Sequence, residues 1–178
     1  LIDLKYFALQ IYESVECTQR EINEKKEVRI TDRCQIYDDI ILARGTKLVF
    51  DHALVRIYGN ILLDGGTLEI INSKFIRKSD SHRACINVKD DYSRVIVEKC
   101  EADCRNYGMF IRAEAGEVSV KDSNIYHTTR GAAIRFWGKR LDIERCSFSR
   151  CYSPEDGGAV MARGGDGSIR DCRFTDCE

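Results

Sequence analysis

The chain has 178 residues, of which 32% are charged, and its formal net charge is −1. This mixed balance argues against a general attraction to nucleic acid or to anionic membranes. No apolar run approaches the roughly 18–20 residues that a membrane-spanning helix needs.

The length predicts a single domain with a substantial core. One Pro, 13 Gly and abundant Val and Ile favour ordered β structure over disorder. The chain begins at Leu1 rather than Met, which is typical of a processed or excised piece.

Residues 1–26 differ in pattern from the rest of the chain. Five apolar residues fall on one helical face: Leu4, Phe7, Ala8, Ile11 and Val15. A mostly charged stretch follows at residues 21–26. The pattern predicts an amphipathic helix and a linker, so that residues 1–26 form a helical cap and residues 27–178 a separate β unit. Residues 27–47 fit no clear repeat and predict an irregular first part of that unit.

An internal repeat fills most of the remaining chain. Its copies start at residues 48, 68, 95, 118, 141 and 167, with spacings of 20, 27, 23, 23 and 26 residues. The template is an apolar residue, any residue, an apolar residue, two polar residues, Cys or Ser, any residue and an apolar residue. Gly167 and Ile71 are exceptions, and the copy at residues 48–55 is looser, with Ala53 in the Cys/Ser position.

The repeat predicts strands rather than helices. Its inward positions alternate with period two, slip by one residue and alternate again, which indicates a strand, a tight bend and a second strand. One such rung cannot bury its inner face alone. Stacking rungs about 4.8 Å apart buries that face and pairs the backbones of neighbouring rungs.

Two columns of charge support the alignment of the last four copies. One column reads Glu98, Lys121, Glu144 and Arg170, and the next reads Lys99, Asp122, Arg145 and Asp171. The sign alternates at every step of both columns, as expected when parallel neighbours lie side by side.

A second repeated block predicts a third side for each rung. Residues 108–112, 131–135 and 157–161 each start with Gly and continue as a short apolar run, which suits a sharp corner before a strand. We therefore predict an all-β parallel β-helix with three-sided rungs of about 20–27 residues, covered at its first rung by the N-terminal helix. The sequence stops at Glu178, two strands into a rung, so we expect a continuing chain, further domains or a second subunit there.

The template and the glycine blocks resemble the right-handed parallel β-helix superfamily, which includes pectate-lyase-like proteins, polygalacturonases and carbohydrate-binding and sugar-hydrolysis repeats. Residues 157–160 (Gly-Gly-Ala-Val) and 174–177 (Phe-Thr-Asp-Cys) are also similar to the GGA(I/V) and FxxN repeats of polymorphic outer-membrane adhesins, with Cys177 in place of the Asn. The resemblance implies a right-handed β-helix and is compatible with many functions.

The sequence lacks the signatures of the enzyme branches. It contains no Asn-Thr-Asp, Gly-His-Gly or Arg-Ile-Lys set of polygalacturonases and no Trp-Ile-Asp-His or Arg-x-Pro-x-x-Arg of pectate lyases. The enzyme question stays open, with a polysaccharide lyase as the expected type if the chain is an enzyme.

One surface is rich in groups that bind ligands. The alignment places His127 near Tyr126, Arg105 and Arg130, with Asp103 and Arg150 close by. A lyase for uronic-acid polymers needs a cation beside the carboxylate and a base for the α-proton, and this surface offers both, although a solvated, charge-paired face has the same composition. Trp137, in a predicted turn, could stack on a sugar ring or cover a loop.

A glycoside hydrolase would instead need two carboxylates on one face. The candidates are Glu101, Asp103, Asp122 and Glu144. The last two already belong to the charge columns, which makes a hydrolase a weaker interpretation than a lyase.

Nine cysteines are many for the length, but their spacing fits no zinc pattern. Cys100, Cys146 and Cys172 share one inward column with Ser73 and Ser123, and Cys151 matches Cys177. A metal or redox site is one interpretation, and a ladder of small buried thiols is the one we favour. Unpaired thiols favour a reducing, cytoplasmic compartment, with a cell-surface or secreted location as the alternative.

We therefore predict a non-catalytic binding module that presents a flat polar face to a glycan or a protein, without a metal or another cofactor. The ligand-binding candidates are Arg105, Tyr126, His127, Arg130 and Trp137. A polysaccharide lyase and a self-assembling element that stacks end to end are the alternatives. We expect neither nucleic-acid binding nor membrane insertion.

Overall fold

The computed structural model describes residues 15–80, 84–154 and 157–178. These residues form strands β1 to β21, numbered in chain order, and one short helix, α1 (Gln19–Lys25). The named strands pair in parallel and lie in three sheets that run the length of a solenoid of about six turns. The predicted all-β, three-sided stack is confirmed.

Each rung contributes one strand to each sheet. Sheet 1 contains β2 (Glu27–Ile30), β5 (Lys47–Asp51), β8 (Thr67–Ile71), β11 (Arg94–Glu98), β14 (Glu117–Lys121), β17 (Arg140–Glu144) and β20 (Asp166–Arg170). Sheet 2 contains β1 (Val15–Glu16), β3 (Arg33–Ile36), β6 (Leu54–Ile57), β9 (Lys74–Arg77), β12 (Glu101–Asp103), β15 (Asn124–Thr128), β18 (Ser147–Cys151) and β21 (Arg173–Cys177). Sheet 3 contains β4 (Ile40–Ala43), β7 (Ile61–Asp64), β10 (Ile86–Val88), β13 (Ile111–Ala113), β16 (Ile134–Phe136) and β19 (Val160–Ala162).

The register of sheet 1 is the one that the repeat predicts. The first residues of the six copies face one another in sequence: Leu48, Leu68, Val95, Val118, Leu141 and Gly167. The charges at Glu98, Lys121, Glu144 and Arg170 stack in the same register. The alignment is therefore confirmed at every step from the first copy to the last.

The core is a continuous apolar column inside the three sheets. Alternate residues of each strand point inward, and the rings of Phe50, Phe75 and Phe110 contact one another edge to face, with centroids 6.3 and 5.8 Å apart. All three rings are buried. Burial of each such side chain contributes roughly 1.5–3 kcal/mol, so stacking rather than any single rung stabilises the fold.

The bend between sheets 1 and 2 explains the slip in the repeat. The fifth residue of each copy has a positive φ, between 48° and 56°: His52, Asn72, Lys99, Asp122, Arg145 and Asp171. This left-handed residue turns the chain, and the next side chain then points inward.

The side chain that follows the left-handed residue donates a hydrogen bond to a backbone carbonyl oxygen at the bend. Ser73 and Ser123 donate to the carbonyl oxygen two residues earlier, at 2.7 and 2.6 Å, and the thiols of Cys100, Cys146 and Cys172 make the same contact at 3.1–3.2 Å. A small side chain with one polar hydrogen fits this position because a buried carbonyl needs a donor. The geometry supports a structural thiol ladder in this column.

The glycine blocks lead into sheet 3, as predicted. Gly131 has a φ of 147°, and a Cβ at this position would lie 2.8 Å from the sulfur of Met109. The strand of each block then begins three residues after its glycine, at Ile111, Ile134 and Val160. The corner requires glycine here both for its backbone angle and for the close approach of a neighbouring rung.

The first rung is regular, which corrects the prediction for residues 27–47. Strands β2, β3 and β4 pair in register with β5, β6 and β7. The repeat was not recognisable because only Thr31 and Asp32 stand where the next rung has residues 51–53, so this bend lacks the Cys or Ser position.

A helix near the N-terminus is confirmed, but its described span is α1, which begins two residues before the stretch predicted as charged and ends within it. Of the residues predicted on the apolar face, Leu4, Phe7, Ala8 and Ile11 lie outside the described part of the chain. Val15 belongs to β1, because its backbone pairs with Cys34 at the edge of sheet 2.

Helix α1 covers the first rung, as the cap was expected to do. Its Ile22 is fully buried against the core. The Gln19 amide bonds both backbone groups of Ile41 on edge strand β4, at 2.5 and 2.9 Å, which occupies groups that would otherwise be open to pairing. Over the described ranges, no helix has the length and apolar character that a membrane span requires.

Candidate functional site

The surface predicted from His127 lies on the outer face of sheet 2, on four consecutive strands. We call it the sheet 2 patch and define it by seven residues: Lys74, Glu101, Asp103, Arg105, Tyr126, His127 and Arg150. Strands β9, β12, β15 and β18 supply most of these side chains, because alternate residues of each strand point outward. The loop after β12 supplies the remaining one.

One half of the patch is centred on Glu101. The Lys74 ammonium group lies 2.8 Å from the Glu101 carboxylate, and the Tyr126 hydroxyl donates to the same oxygen. The Lys74 hydrogen bond, followed by that of Tyr126, lowers the pKa of Glu101. Burial and the bond to Glu101 raise the pKa of the Tyr126 phenol. Neither group is therefore prepared for proton transfer near neutral pH.

The other half of the patch is centred on His127. Its Nδ1 lies 3.1 Å from the Asp103 carboxylate, and its Nε2 lies 3.3 Å from Nη1 of Arg150. Since an arginine only donates hydrogen bonds, Nε2 must accept, and Nδ1 then carries the proton that is donated to Asp103. The contacts thus hold the imidazole in one orientation between a carboxylate and a guanidinium group.

A bend within the strands of sheet 2 sets the direction of these two side chains. His127 and Arg150 have φ values of 56° and 52°, and the pairing of β15 with β18 skips them between Tyr126–Ser149 and Thr128–Cys151. Each strand has one residue between these pairs, so the register is kept, and the left-handed conformation of that residue turns its side chain outward. The bend brings Arg150 and His127 together on adjacent rungs, where regular alternation would not place both outside.

The basic groups of the patch differ in their partners. The Arg105 side chain lies 3.7 Å from the Asp103 carboxylate and its backbone N–H donates to Asp103 at 3.0 Å. Among the described residues, Arg150 contacts no carboxylate, and its polar contact is His127. Because a guanidinium carries five N–H donors, most donors of this exposed arginine face solvent.

Two predicted site residues lie apart from the patch. Arg130 follows β15 and forms an ion pair with Asp80 at 2.8 Å. Trp137 directly follows β16 of sheet 3, on another side of the solenoid, and the guanidinium group of Arg135 lies 5.0 Å from its ring centroid. The structure therefore brings together Arg105, Tyr126 and His127 but not Arg130 or Trp137.

One functional residue that the sequence analysis missed could have been found from the repeat. Lys74 occupies the seventh position of its copy, where Glu101 stands in the next copy, and the two face each other in the sheet. A check of charge in this column, like the one made for the fourth and fifth positions, would have paired them.

Grooves also lie outside the predicted surface. A groove of about 330 Å³ on the outer face of sheet 1 is lined by Arg94, Ile96, Glu117, Ser119, Arg140 and Asp142, among others. Its charges pair with one another: Arg94 with Glu117 at 2.9 Å and Arg140 with Asp142 at 2.5 Å. A second groove of about 370 Å³ at the bend between sheets 1 and 2 includes Lys74 and Glu101 and so borders the patch.

A hydrolase arrangement finds little support in the patch. Glu101 and Asp103 both point outward from β12, roughly 6.6 Å apart along the strand, which is within the range of catalytic carboxylate pairs. A general acid needs a raised pKa, but the pKa of Glu101 is lowered by Lys74. Both carboxylates also have cationic or imidazole partners.

The family comparison agrees with the fold. A family model described as a right handed beta helix region matches residues 58–178. The chain matches no curated protein and no solved structure.

Proposed function

Because the chain belongs to the right-handed β-helix family, whose scaffold leaves long flat faces open to partners, we propose that it is a non-catalytic module that binds an acidic glycan on the sheet 2 patch. The single observation that carries the proposal is Arg150, an exposed arginine held by an imidazole instead of a carboxylate. A uronate carboxylate can accept two parallel hydrogen bonds from such a group.

The rest of the patch suits a sugar ligand. His127 and Tyr126 pack at 77° with ring centroids 5.0 Å apart, which gives a partly apolar surface beside polar groups. Lys74 and the groove at the bend continue the patch along the direction of the stack. A polymer chain that crosses successive rungs meets polar groups about every 4.8 Å.

Binding is favoured over catalysis by the hydrogen-bond partners of the patch. A catalytic base must have a free lone pair within reach of the substrate proton. The Nε2 lone pair of His127 is occupied by Arg150, and Glu101 is held by Lys74 and Tyr126. The groups of the patch that could accept a substrate proton therefore already accept hydrogen bonds within the protein, which suits binding better than catalysis.

The test is calorimetric titration of the protein with polygalacturonate and, in parallel, with a neutral galactan. We expect polygalacturonate alone to bind, with an affinity that falls as salt is added. Arg150→Ala removes a charge-assisted contact and should raise Kd about tenfold or more. Arg145→Ala is the matched control, because Arg145 is an exposed arginine paired with Asp122 at 2.6 Å on the same solenoid.

The controls separate this patch from the other predicted residues. Arg130→Ala and Trp137→Ala should leave Kd within about twofold, since neither residue contacts a patch side chain in the described contacts. Equal losses in the Arg145 and Arg150 variants would indicate nonspecific charge attraction and contradict the proposal.

A polysaccharide lyase is the second candidate, favoured by the contact of Arg150 with His127. If a bound uronate drew Arg150 away, Nε2 would become free as a base beside a cation that neutralises the carboxylate. Formation of unsaturated sugar ends from polygalacturonate, lost in His127→Ala, would establish this activity. Binding without such product would support the non-catalytic module.

A further inference from the structure

The outer face of sheet 2 carries a second basic side chain without a carboxylate beside it, on a strand that precedes the sheet 2 patch. Arg56 points outward from β6 and is partly buried. In the sheet register it faces Gln35 of one rung and Ile76 of the next. The nearest carboxylates in this column are those of Glu16 and Asp103, each two strands away, or about 9.6 Å at the spacing of parallel strands. Within the described part of the chain, Arg56 therefore has no ion-pair partner.

Lys78 supplies a second cation close to Arg56. It directly follows β9, and its backbone N–H donates to the Ile57 carbonyl oxygen at 2.8 Å. This bond continues the register of β6 with β9 beyond Arg77 and places Lys78 next to Tyr58 on the adjacent rung. Over the described ranges Lys78 has no ion-pair partner either, which distinguishes both cations from the paired basic groups of sheet 1.

Two tyrosine rings border these cations. The rings of Tyr37 and Tyr58 stack with their centroids 5.0 Å apart and their planes at 23°, and Tyr37 is 50% exposed. The Tyr37 hydroxyl donates to Oε1 of Gln35 at 2.6 Å. Because Gln35 points outward next to Arg56, this bond turns the Tyr37 ring back over sheet 2, beside the column of Arg56.

The two cations and the two rings suit an acidic sugar better than other small ligands. We call these four residues the Arg56 cluster: Tyr37, Arg56, Tyr58 and Lys78. A guanidinium group binds a carboxylate through two parallel hydrogen bonds, and a tyrosine ring offers an apolar face against which a sugar ring packs. An inorganic anion would use the cations alone, and a neutral sugar would use the rings alone. A uronate residue carries a carboxylate on a sugar ring and uses both.

We propose that the Arg56 cluster is a second subsite for the acidic glycan, so that one glycan chain lies along the outer face of sheet 2 and contacts both this cluster and the sheet 2 patch. The second subsite rests on the proposed function and adds to it the direction and the minimum length of the ligand. Strands β6 and β18, which carry Arg56 and Arg150, are four steps apart in the sheet, about 19 Å at the spacing of parallel strands. Lys74 of β9 lies between them. A glycan too short to cover this distance reaches only one of the two subsites.

The experiment compares digalacturonate with octagalacturonate in calorimetric titrations of the full chain and of the double variant Arg56→Gln/Lys78→Gln. A ligand that occupies both subsites makes its second contact as an intramolecular event. We therefore expect octagalacturonate to bind the parent protein at least tenfold more tightly than digalacturonate. The double variant should raise the Kd for octagalacturonate about tenfold and change the Kd for digalacturonate by less than about threefold, because the sheet 2 patch still binds the short ligand.

The matched control removes two cations that have carboxylate partners. Lys121→Gln/Arg145→Gln leaves Glu144 and Asp122 without these cations on sheet 1 and at its bend and changes the net charge by the same amount. It should leave the Kd for octagalacturonate within about twofold. A loss as large as that of the Arg56 and Lys78 variant would show general charge attraction and overturn the second subsite.

The ring platform has its own pair of variants. Tyr37→Leu should raise the Kd for octagalacturonate about threefold, because it removes the exposed ring. Tyr92→Leu, at a tyrosine that is 67% exposed and stacks under Arg44 away from sheet 2, should not change it. Equal effects of the two variants would overturn the role of the rings.

The remaining outcomes separate the second subsite from the proposed function. If the Arg56→Gln/Lys78→Gln variant bound octagalacturonate as the parent protein does while Arg150→Ala bound it weakly, the second subsite would be wrong and the proposed function would stand. If only the Arg56→Gln/Lys78→Gln variant lost affinity, the sheet 2 patch would be wrong and the Arg56 cluster would be the glycan site by itself. Single-stranded DNA also combines stacking rings with anionic groups, so binding of oligothymidylate as tight as that of octagalacturonate would overturn the assignment to a glycan.

Discussion

The outer faces of sheets 1 and 2 both carry charges but use them differently. On sheet 1 the basic groups pair with carboxylates of the same or adjacent rungs, as Arg140 does with Asp142 and Arg94 with Glu117. On the sheet 2 patch, Arg150 is held by His127, and Glu101 is shared by Lys74 and Tyr126.

This difference separates a structural surface from a recognition surface. Mutual pairing neutralises sheet 1 and fixes the register between rungs, at about 0.2–1 kcal/mol for each exposed pair. The patch instead holds an imidazole, a phenol and a guanidinium in fixed positions with donors left for a ligand. Each prediction below changes one face and compares it with the other.

The largest expected effect is on binding, from Asp103→Ala. This change removes the acceptor that holds the Nδ1 proton of His127, so the imidazole and Arg150 lose their fixed orientation. We expect Kd for polygalacturonate to rise about tenfold, measured by calorimetry. The matched change on the other face is Asp142→Ala, which removes the carboxylate that pairs with Arg140. This variant should bind polygalacturonate as tightly as the parent protein does. If its Kd rose as much as that of Asp103→Ala, the distinction between the two faces would be wrong.

The fold and the two faces were predictable to different extents from the sequence. Stacking makes every rung repeat the same pattern, so the period-two alternation and the charge columns fix which residues face each other. The patch depends on departures from the repeat. The bend at His127 and Arg150 shows in the sequence as a three-residue step from Phe148 to Cys151, repeated from Phe174 to Cys177, but that step does not indicate which outer side chains meet. The ion pair of Arg130 with Asp80 bridges residues 50 positions apart. Side-chain partners at such distances are set by loop paths that the repeat does not encode.

The buried arginine shows the same limit. Arg77 ends a strand in a column where Ile57 stands one rung earlier, and in sequence it reads as an exposed residue before a loop. The 1% exposure of its side chain is therefore a property that the repeat does not predict.

A smaller effect is expected on stability, from Lys121→Glu on sheet 1. The change gives three successive carboxylates at positions 98, 121 and 144 and should lower the free energy of unfolding by about 1 kcal/mol in urea denaturation. Adding Glu98→Lys restores an opposite-charge pair between positions 98 and 121, and because the other neighbour of position 98 is Ile71 it creates no new repulsion. This second change should recover about half of the loss. Polygalacturonate binding should be unaffected, because no patch residue is altered; an unchanged midpoint in the single variant would contradict the role assigned to the columns.

The smallest expected effect is a pH dependence of the patch itself. The Lys74 hydrogen bond, aided by Tyr126, lowers the pKa of Glu101 in the folded state. The stabilisation is therefore fully present above the unfolded-state pKa of roughly 4.3 and is lost as the pH falls through the lower, folded-state value. Since both partners are more than a third exposed, solvent screening limits this stabilisation to at most about 1 kcal/mol.

Lys74→Met should flatten the decline in stability below about pH 4 in urea titrations. The control is Lys47→Met, which removes the partner of Glu69 on sheet 1 and should leave the Glu101 contribution in place. If the acid profile of Lys74→Met matched that of the parent protein, the hydrogen bond between Lys74 and Glu101 would not stabilise the protein in solution. The argument that this carboxylate is unsuited to act as a general acid would then be wrong.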